Sequence, residues 1–283
     1  MLGAIGDLVE DVVVRLLGGV NVASDTDAVV HRRRGGSAAN VVAAACGAGG
    51  RGRFIGQVGD DATGAWLIDD LAATGAEVVV RRSGRTGTIV VLVDQAGERT
   101  MLSDRGASVE LADPEPSWLD GLHTLHLPMY SLVGEPLATT TATLVRAAHE
   151  RGITVSIDVS SVALLRHLGV ANALGSISDL RPHVVLANEL ESAVFDGALV
   201  PAKVGARLVI VKQGPRPAIV LRAGQPPVEV PAESIADVRD TTGAGDAFAA
   251  GFLMALADTT DPIAATRAGH AVAAATVRRV SAS

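Results

Sequence analysis

The feature that most constrains this chain is a repeated alternation of short β-rich runs with longer alanine-rich segments. Arg53 to Val58 is followed by Thr63 to Ala73, and His123 to Leu127 is followed by Pro136 to Arg151. Such an alternation is typical of strands joined by crossover helices, which place the strands parallel to one another. The sequence therefore predicts an α/β fold with a doubly wound, mainly parallel sheet and helices on both faces.

Two of the β-rich runs are apolar throughout. They are Val184 to Leu186 and Leu208 to Val211. A strand that is covered by helices on both faces has no solvent side and reads as a continuous apolar run. We therefore expect these two runs to be central parallel strands of the sheet.

Two segments break the alternation. Val12 to Arg34 and Glu77 to Asp104 are strand-like but contain no long alanine-rich helix. We interpret them as a small β-sheet lid, made by residues of about 12–34 and 77–104, on a single domain that spans residues 1–283. Exposed strand edges in such a lid could pair two copies into a homodimer, although a sequence does not count subunits.

Composition and charge exclude several classes of protein. The formal net charge of −7 argues against a protein that binds nucleic acid, which would need a basic face. The single cysteine, Cys46, excludes an internal disulfide framework and a multi-cysteine zinc site. No apolar run reaches the roughly 18 residues of a membrane span, and the first residues lack a basic leader. These features predict a cytoplasmic protein whose partner is a small molecule.

The segment Asp240 to Asp246 carries the strongest chemical signal. It reads Asp-Thr-Thr-Gly-Ala-Gly-Asp and leads directly into the helical run Ala247 to Ala257. A glycine-rich turn at a helix N-terminus can direct several backbone N–H groups at one anion, with help from the helix dipole. Asp246 would then lie beside a transferring phosphoryl group and could accept a proton from the attacking hydroxyl. The alternative is a strand-to-helix connection in which the aspartate caps the helix.

A second glycine cluster lies near the start of the chain. It reads Gly-Gly-Ser-Ala-Ala-Asn from Gly35 to Asn40 and opens the alanine-rich run Ala38 to Cys46. Glycines let a ligand approach the backbone, and the Asn40 amide can both donate to and accept from a polyol. Without further motifs, an ordinary helix start with Ser37 as its cap explains the cluster equally well.

Taken together, these segments resemble the ribokinase-like, or PfkB, family of carbohydrate kinases over nearly the whole chain. The resemblance implies ATP-dependent phosphorylation of a hydroxyl group on a sugar or sugar-like molecule. Gly35, Gly36 and Asn40 match the family's Gly-Gly-x-x-x-Asn signature, whose residues line the sugar pocket. The run Gly6 to Asp11 is similar to the family's first strand, which implies that Asp11 holds sugar hydroxyls.

The family's second signature, Asp-Thr-x-Gly-Ala-Gly-Asp, is matched at every specified position of Asp240 to Asp246. The resemblance implies that Asp246 is the catalytic base. It also implies that the residues before it form the anion hole and, in the case of Thr242, contact the nucleotide. The anion-hole residues are Gly243, Ala244 and Gly245.

Weaker similarities concern the nucleotide and its metal. Asn188 and Glu191 resemble the family's Asn-x-x-Glu motif, which organises Mg²⁺ through water; the alternative is a plain helix N-terminus with favourable acidic residues. Lys212 and Gly214 resemble the nucleotide-side strand and turn, although Lys212 could equally be a strand-end charge that snorkels to solvent. His270 resembles a position beside the adenine, although packing explains a histidine in an alanine-rich helix equally well. A potassium site near Asp240 is a further implication.

The acceptor itself is left open by the sequence. Ribose, fructose, a deoxy keto acid, a sugar phosphate and a nucleoside are not separated, because lid side chains decide acceptor choice. Alternatives to a sugar kinase are a nucleoside kinase of the same fold and a catalytically silent sugar- or nucleotide-sensing protein. Arg99 and Arg105 could meet an acidic acceptor, but we interpret them as solvated lid arginines.

Overall fold

The computed structural model describes residues 1–238 and 240–282, apart from the side chains of Val280 and Ala282. Within these residues, nine strands form one sheet in the order β13-β12-β11-β10-β9-β8-β1-β4-β5. In this order across the sheet, the seven strands from β11 to β5 pair in parallel with their neighbours, while β12 and β13 add an antiparallel edge. These strands are β1 Leu2–Ile5, β4 Gly52–Val58, β5 Glu77–Arg82, β8 Thr124–Pro128, β9 Thr154–Asp158, β10 Val184–Asn188, β11 Leu208–Gln213, β12 Arg216–Arg222 and β13 Val228–Val230.

Helices cover both faces of this sheet. They are α1 Ser37–Gly47, α2 Ala62–Ala72, α3 Leu137–Glu150, α4 Val162–Leu168, α5 Val170–Asp179, α6 Glu189–Val194, α7 Pro201–Val204, α8 Ala244–Thr259 and α9 Pro262–Ala282. Short 3₁₀ helices span Ala107–Glu110, Pro116–Leu119 and Met129–Leu132. None of the helices in the described part of the chain is long and apolar enough to cross a membrane.

The two runs predicted to be central strands are confirmed as β10 and β11, which pair in parallel over Val184–Asn188 and Leu208–Lys212. Their side chains divide between two cores. Val209 packs with one apolar cluster, whereas Ile210 packs with Phe248 and Phe252 of α8 in the other. Burial on both faces explains why these strands are continuously apolar.

The smaller sheet has the strand order β3-β2-β6-β7. Its strands are β2 Val9–Leu16, β3 Ala28–Gly35, β6 Thr86–Val93 and β7 Arg99–Gly106. The predicted segment of residues 77–104 is corrected at its start, because β5 pairs with β4 in the large sheet. The two parallel strands β4 and β5 are joined by the short crossover helix α2. Because β5 is only half-buried at the edge of the sheet, its sequence resembles that of a lid strand. The role of the small sheet as a lid stays a prediction.

The carboxyl ends of β1, β9, β10 and β11 open at one edge of the large sheet, and β2 leaves β1 at the same edge. In open α/β sheets this edge is where ligands bind. The N-termini of α1 and α8, which pack against each other, carry the two glycine-rich segments. The fold thus brings the sequence motifs to one region.

Candidate active site

Asp246 lies in the first turn of α8 and joins the two glycine-rich segments. One carboxylate oxygen, Oδ1, accepts a hydrogen bond of 2.7 Å from Ser37 Oγ. The other, Oδ2, accepts one of 3.1 Å from Asn40 Nδ2. Since Ser37 and Asn40 belong to the first turn of α1, residues more than 200 positions apart in the chain converge on one carboxylate.

The backbone in front of each helix requires glycine. Gly36 has a φ of +100°, and a Cβ atom there would lie 2.1 Å from the carbonyl oxygen of Asp7. Gly243, the residue before α8, is left-handed with a φ of 76°. A side chain is disfavoured by backbone conformation at both positions and excluded by a close contact at the first. The predicted anion-hole residues Gly243, Ala244 and Gly245 therefore form a bare turn at the N-terminus of α8.

A buried ion pair faces this turn. Lys212 Nζ donates to Asp158 Oδ2 at 2.6 Å, and the two side chains are 13% and 12% exposed. The same ammonium lies 3.5 Å from where a Cβ atom of Gly245 would be. Burial would lower the pKa of Lys212, but the charges of Asp158 and Glu191 outweigh it and raise that pKa. Lys212 therefore places a permanent positive charge beside the anion-hole residues.

Asp158 is a site residue that the sequence analysis missed. Its carboxylate is held from two sides, because Oδ1 accepts from the backbone N–H of Ser160 at 2.9 Å while Oδ2 accepts from Lys212. The available signal was its position: it is the last residue of β9, at the ligand-binding edge of a parallel sheet.

The electrostatics of the cluster raise the pKa of Asp246. Burial raises it most, and the nearby charge of Asp158 adds to the effect; hydrogen bonds from Ser37 and Asn40 and the charge of Lys212 act in the opposite direction. The balance brings the pKa of Asp246 to about 6. A carboxylate with this pKa is ionised at neutral pH yet is basic enough to take a proton in a transition state.

Asn188 and Glu191 form the N-terminus of α6. Asn188 Oδ1 accepts from the Glu191 N–H at 2.9 Å, and Glu191 Oε2 accepts from the Asn188 N–H at 2.7 Å, a capping box. Burial and the charge of Asp158 raise the pKa of Glu191. Within the described residues, no three side chains of His, Cys, Asp or Glu are grouped closely enough to hold a metal ion directly.

The small sheet contacts the segment in front of α8 through Arg99. Its guanidinium donates to Asp240 Oδ1 at 2.7 Å and to Thr242 Oγ1 at 2.5 Å. Burial would raise the pKa of Asp240, but the bonds from Thr242 and Arg99 outweigh it and lower that pKa to about 2. A cavity of about 490 Å³ lies beside this contact and is lined by Glu98, Arg99, Val238, Asp240 and Thr241 among others.

Asp11 faces the other glycine turn. Its carboxylate lies against Gly35, where a Cβ atom would come within 2.1 Å of Oδ1, and Arg33 Nε is 3.4 Å from Oδ2. Nearby, Arg105 makes a bidentate pair with Asp7, with both bonds at 2.7 Å. The interpretation as a solvated lid arginine is therefore wrong for Arg105, which is mostly buried against Asp7, whereas Arg99 is exposed although it pairs with Asp240.

Two predicted nucleotide residues lie apart from this cluster. Gly214 forms the turn between β11 and β12 with a φ of 59°. His270 is buried in α9, where its Nε2 lies 3.2 Å from the Val230 carbonyl oxygen and its ring meets Phe248 edge-on. These contacts are those of a packing residue, and a role for either residue in nucleotide binding stays a prediction.

Two sequence relatives are named as sugar kinases. ATP-dependent ribose-1-phosphate kinase of Halopiger xanaduensis is 34% identical over 239 residues, which cover 81% of this chain and 76% of that protein. Fructokinase of Klebsiella pneumoniae is 31% identical over 256 residues, which cover 84% of this chain and 81% of that protein.

Solved structures share the fold. Adenosine kinase from Sinorhizobium meliloti superposes with a TM-score of 0.84 at 23% identity, covering 98% of this chain and 93% of that one. Fructokinase from Xylella fastidiosa with bound ATP superposes with a TM-score of 0.82 at 22% identity, covering 98% and 91%. The model of the pfkB family carbohydrate kinases matches residues 4–283. The chain therefore belongs to the pfkB family of carbohydrate kinases.

Proposed function

We propose that this kinase transfers the γ-phosphoryl group of ATP to a hydroxyl of a sugar or sugar-like acceptor, with Asp246 as the general base. The observation that supports this most is the placement of Asp246. It lies in the first turn of α8, beside the bare turn and the Lys212 ammonium, while Ser37 and Asn40 hold its two oxygens. A base, an anion site and a polyol-binding amide thus share one region.

In the proposed reaction, Asp11 and Asn40 orient the acceptor and its reacting hydroxyl faces Asp246. The hydroxyl oxygen forms a bond to the γ-phosphorus as the bond between that phosphorus and the β,γ-bridging oxygen breaks. The hydroxyl proton passes to the Asp246 carboxylate, and ADP leaves with the electron pair of the broken bond. Since this is a direct transfer, no phosphorylated side chain is required.

Charge on the phosphates is balanced by the protein from two directions. Backbone N–H groups of the turn at Gly243 to Gly245 and the dipole of the 16-residue helix α8 favour an anion at its N-terminus. Lys212 adds a full positive charge that Asp158 holds in place. Removing one such stabilising group from an enzyme typically lowers kcat by about 10²–10³-fold.

The residues near the end of β10 fit a hydrated magnesium ion. Glu191 keeps its second carboxylate oxygen outside the capping box, and the repulsion between Glu191 and Asp158 that raises the Glu191 pKa would be relieved by a cation. Mg²⁺ binds oxygen donors and retains much of its water, so Asn188 and Glu191 would hold it through water. When bound, it would neutralise phosphate charge.

At Asp240 Oδ1 the described residues leave no place for a potassium ion. Asp240 Oδ1 already accepts from the Thr242 N–H, the Thr242 hydroxyl and Arg99. The guanidinium supplies the positive charge that a monovalent cation would contribute there. We therefore do not extend the proposal to potassium, and we assign Thr242 to fixing Asp240 in addition to its proposed nucleotide contact.

The interpretation as a sugar kinase is favoured over a nucleoside kinase and over a catalytically silent sensor. Family membership and sequence relatives that are named as kinases of fructose and ribose 1-phosphate support a sugar acceptor. The likeness to adenosine kinase is structural and concerns the fold. A silent sensor would not need the intact set of Asp246, Lys212 and Asp158 around the anion turn.

Two further proposals concern the protein's surroundings. Use of ATP supports a cytoplasmic location. A homodimer through the small sheet is supported by its exposed apolar side chains, among them Val30 and Leu102, which are 58% and 56% exposed. Exposed apolar patches of this kind are typical of interfaces, and light scattering with a Val30→Lys variant tests the dimer.

The experiment that tests the proposed reaction is ADP release with MgATP across a panel of sugars, sugar acids, sugar phosphates and nucleosides. We expect acceptor-dependent turnover in the wild type and its near-complete loss in Asp246→Asn, which keeps the size of the side chain but cannot take the proton. A blank without acceptor measures ATP hydrolysis. Undiminished turnover in the variant would contradict the role of Asp246, and ATP binding without turnover for any acceptor would favour the sensor.

A further inference from the structure

Arg34 is a buried arginine that the proposed reaction does not use. It lies at the end of β3, directly before Gly35 and Gly36, and its side chain is 14% exposed. Its Nε donates to Asp70 Oδ2 of α2 at 2.9 Å, and its Nη1 donates to Asn40 Oδ1 of α1 at 3.0 Å. The guanidinium therefore bridges two helices at the base of the small sheet.

This contact reinforces the orientation of the Asn40 amide that the Asp246 carboxylate also favours. An arginine has only N–H donors and stays charged at every pH a protein tolerates, so the Asn40 atom that meets it must be the oxygen. The Asn40 NH₂ group is then left on the opposite side of the amide, where it donates to Asp246 Oδ2 at 3.1 Å. Four side chains are thus connected by hydrogen bonds, in which Arg34 donates to Asp70 and to Asn40 and Asn40 donates to Asp246.

We propose that Arg34 is a positioning residue for phosphoryl transfer, which fixes the orientation of the Asn40 amide so that its NH₂ group donates to the catalytic carboxylate of Asp246. The proposal rests on the proposed function of Asp246 as the base. With the amide reversed, the Asn40 oxygen would face the carboxylate, and a stabilising hydrogen bond would become a repulsion between two acceptors.

The consequence is measurable through proton affinity. The charged groups around Asp246 are Asp158 from β9 and Lys212 from β11, with Ser37 and Asn40 as its hydrogen-bond donors from α1. A hydrogen bond donated to a carboxylate stabilises the ionised form and so lowers its pKa. Loss of the Asn40 bond therefore makes Asp246 easier to protonate, and the acid limb of the rate profile must move to higher pH.

The test is the pH dependence of kcat/KM from about pH 5 to 9, where the acid limb reports the essential base of the unliganded enzyme. In Arg34→Met, we expect the midpoint of this limb to rise by about one pH unit, as loss of one charge-assisted hydrogen bond predicts. Arg34→Lys keeps a charged donor towards Asn40 and should stay at the wild-type midpoint. Arg34→Leu, which also has no donor towards Asn40, replaces the methionine variant if that one does not fold.

Two further variants calibrate the shift. Ser37→Ala removes the other donor to Asp246 and should move the limb in the same direction as Arg34→Met. Arg85→Met is the matched control, because Arg85 pairs with Asp104 at the exposed base of the small sheet and has no contact with Asn40. Its limb should coincide with the wild type. A merely structural role for Arg34 would lower stability but leave every midpoint in place.

The experiment distinguishes failure of the role of Arg34 from failure of the role of Asp246. A wild-type acid limb in Arg34→Met or Arg34→Leu, alongside a shifted limb in Ser37→Ala, overturns the role of Arg34 and leaves Asp246 as the base. Full turnover in Asp246→Asn, or a wild-type profile without an acid limb, overturns the base and with it the proposal. A raised midpoint in the arginine variants with rescue by lysine supports both.

Discussion

We expect the bidentate pair between Arg105 and Asp7 to be a main connection between the small sheet and the segment that follows β1 of the large sheet. Arg105 is the penultimate residue of β7, and its guanidinium donates twice to Asp7 and once each to the carbonyl oxygens of Tyr130 and Val133, at 2.7 to 3.0 Å. Both charged side chains are about 15% exposed. Arg105→Met removes all four bonds and leaves the Asp7 carboxylate poorly solvated and without its partner.

The structure lets us work out the size of the effect. Breaking a buried ion pair by removing one partner typically costs about 3–5 kcal/mol, because the remaining charge is uncompensated. We expect a loss of this size in the free energy of unfolding, measured by urea denaturation. The double variant with Asp7→Asn removes the stranded charge, so its loss should be clearly smaller than the sum of the two single losses.

A matched control separates burial from ion pairing as such. Arg151 also makes a 2.9 Å pair with an aspartate, Asp120, but the two side chains are 37% and 69% exposed. Arg151→Met should therefore cost no more than about 1 kcal/mol, as solvent-exposed pairs do. A loss in Arg105→Met as small as that in Arg151→Met would refute the reasoning, since it would mean that the Asp7 carboxylate is well solvated without its partner.

Two further predictions concern the anion site and the glycine turn. Lys212→Met should lower kcat by about 10²-fold or more, whereas Lys203→Met, at the only other lysine of the chain, should leave turnover unchanged; equal rates for the two variants in the ADP-release assay would contradict a role for Lys212. Gly36→Ala should destabilise the protein more than Gly49→Ala in thermal unfolding. Both glycines have a positive φ, but a Cβ atom meets the Asp7 carbonyl oxygen at 2.1 Å only at Gly36 and meets nothing within 4 Å at Gly49. Equal losses would mean that backbone conformation, and not the contact, requires glycine at Gly36.

Much of the site was predicted from the sequence because its key parts are local. Gly243 to Asp246 form one turn at a helix N-terminus, and a turn of that kind depends on the backbone freedom of its own residues. The same holds for Gly35 and Gly36 before α1. The central strands were equally readable, since burial on both faces leaves a continuous apolar run in the sequence.

Errors arose where sequence spacing carries no information about contacts. The strand β5 was assigned to the small sheet because no long alanine-rich helix follows it in the sequence, whereas it pairs with β4 at the edge of the large sheet. Arg105 was interpreted as solvated because nothing in its neighbourhood along the chain indicates Asp7, and the pairing of the exposed Arg99 with Asp240 was missed for the same reason. Each of these partners lies about 100 residues or more away along the chain.

By itself, then, the sequence determined the α/β class, the two glycine turns and the identity of the proposed base, since each depends on residues that are close together along the chain. Only the tertiary structure decided what surrounds that base. Asp158, Lys212 and the Arg34–Asn40 contact reach Asp246 from separate strands and helices. Electrostatic and hydrogen-bond energies depend on distances of a few ångströms in space, and those distances exist only once the sheet and its helices have packed.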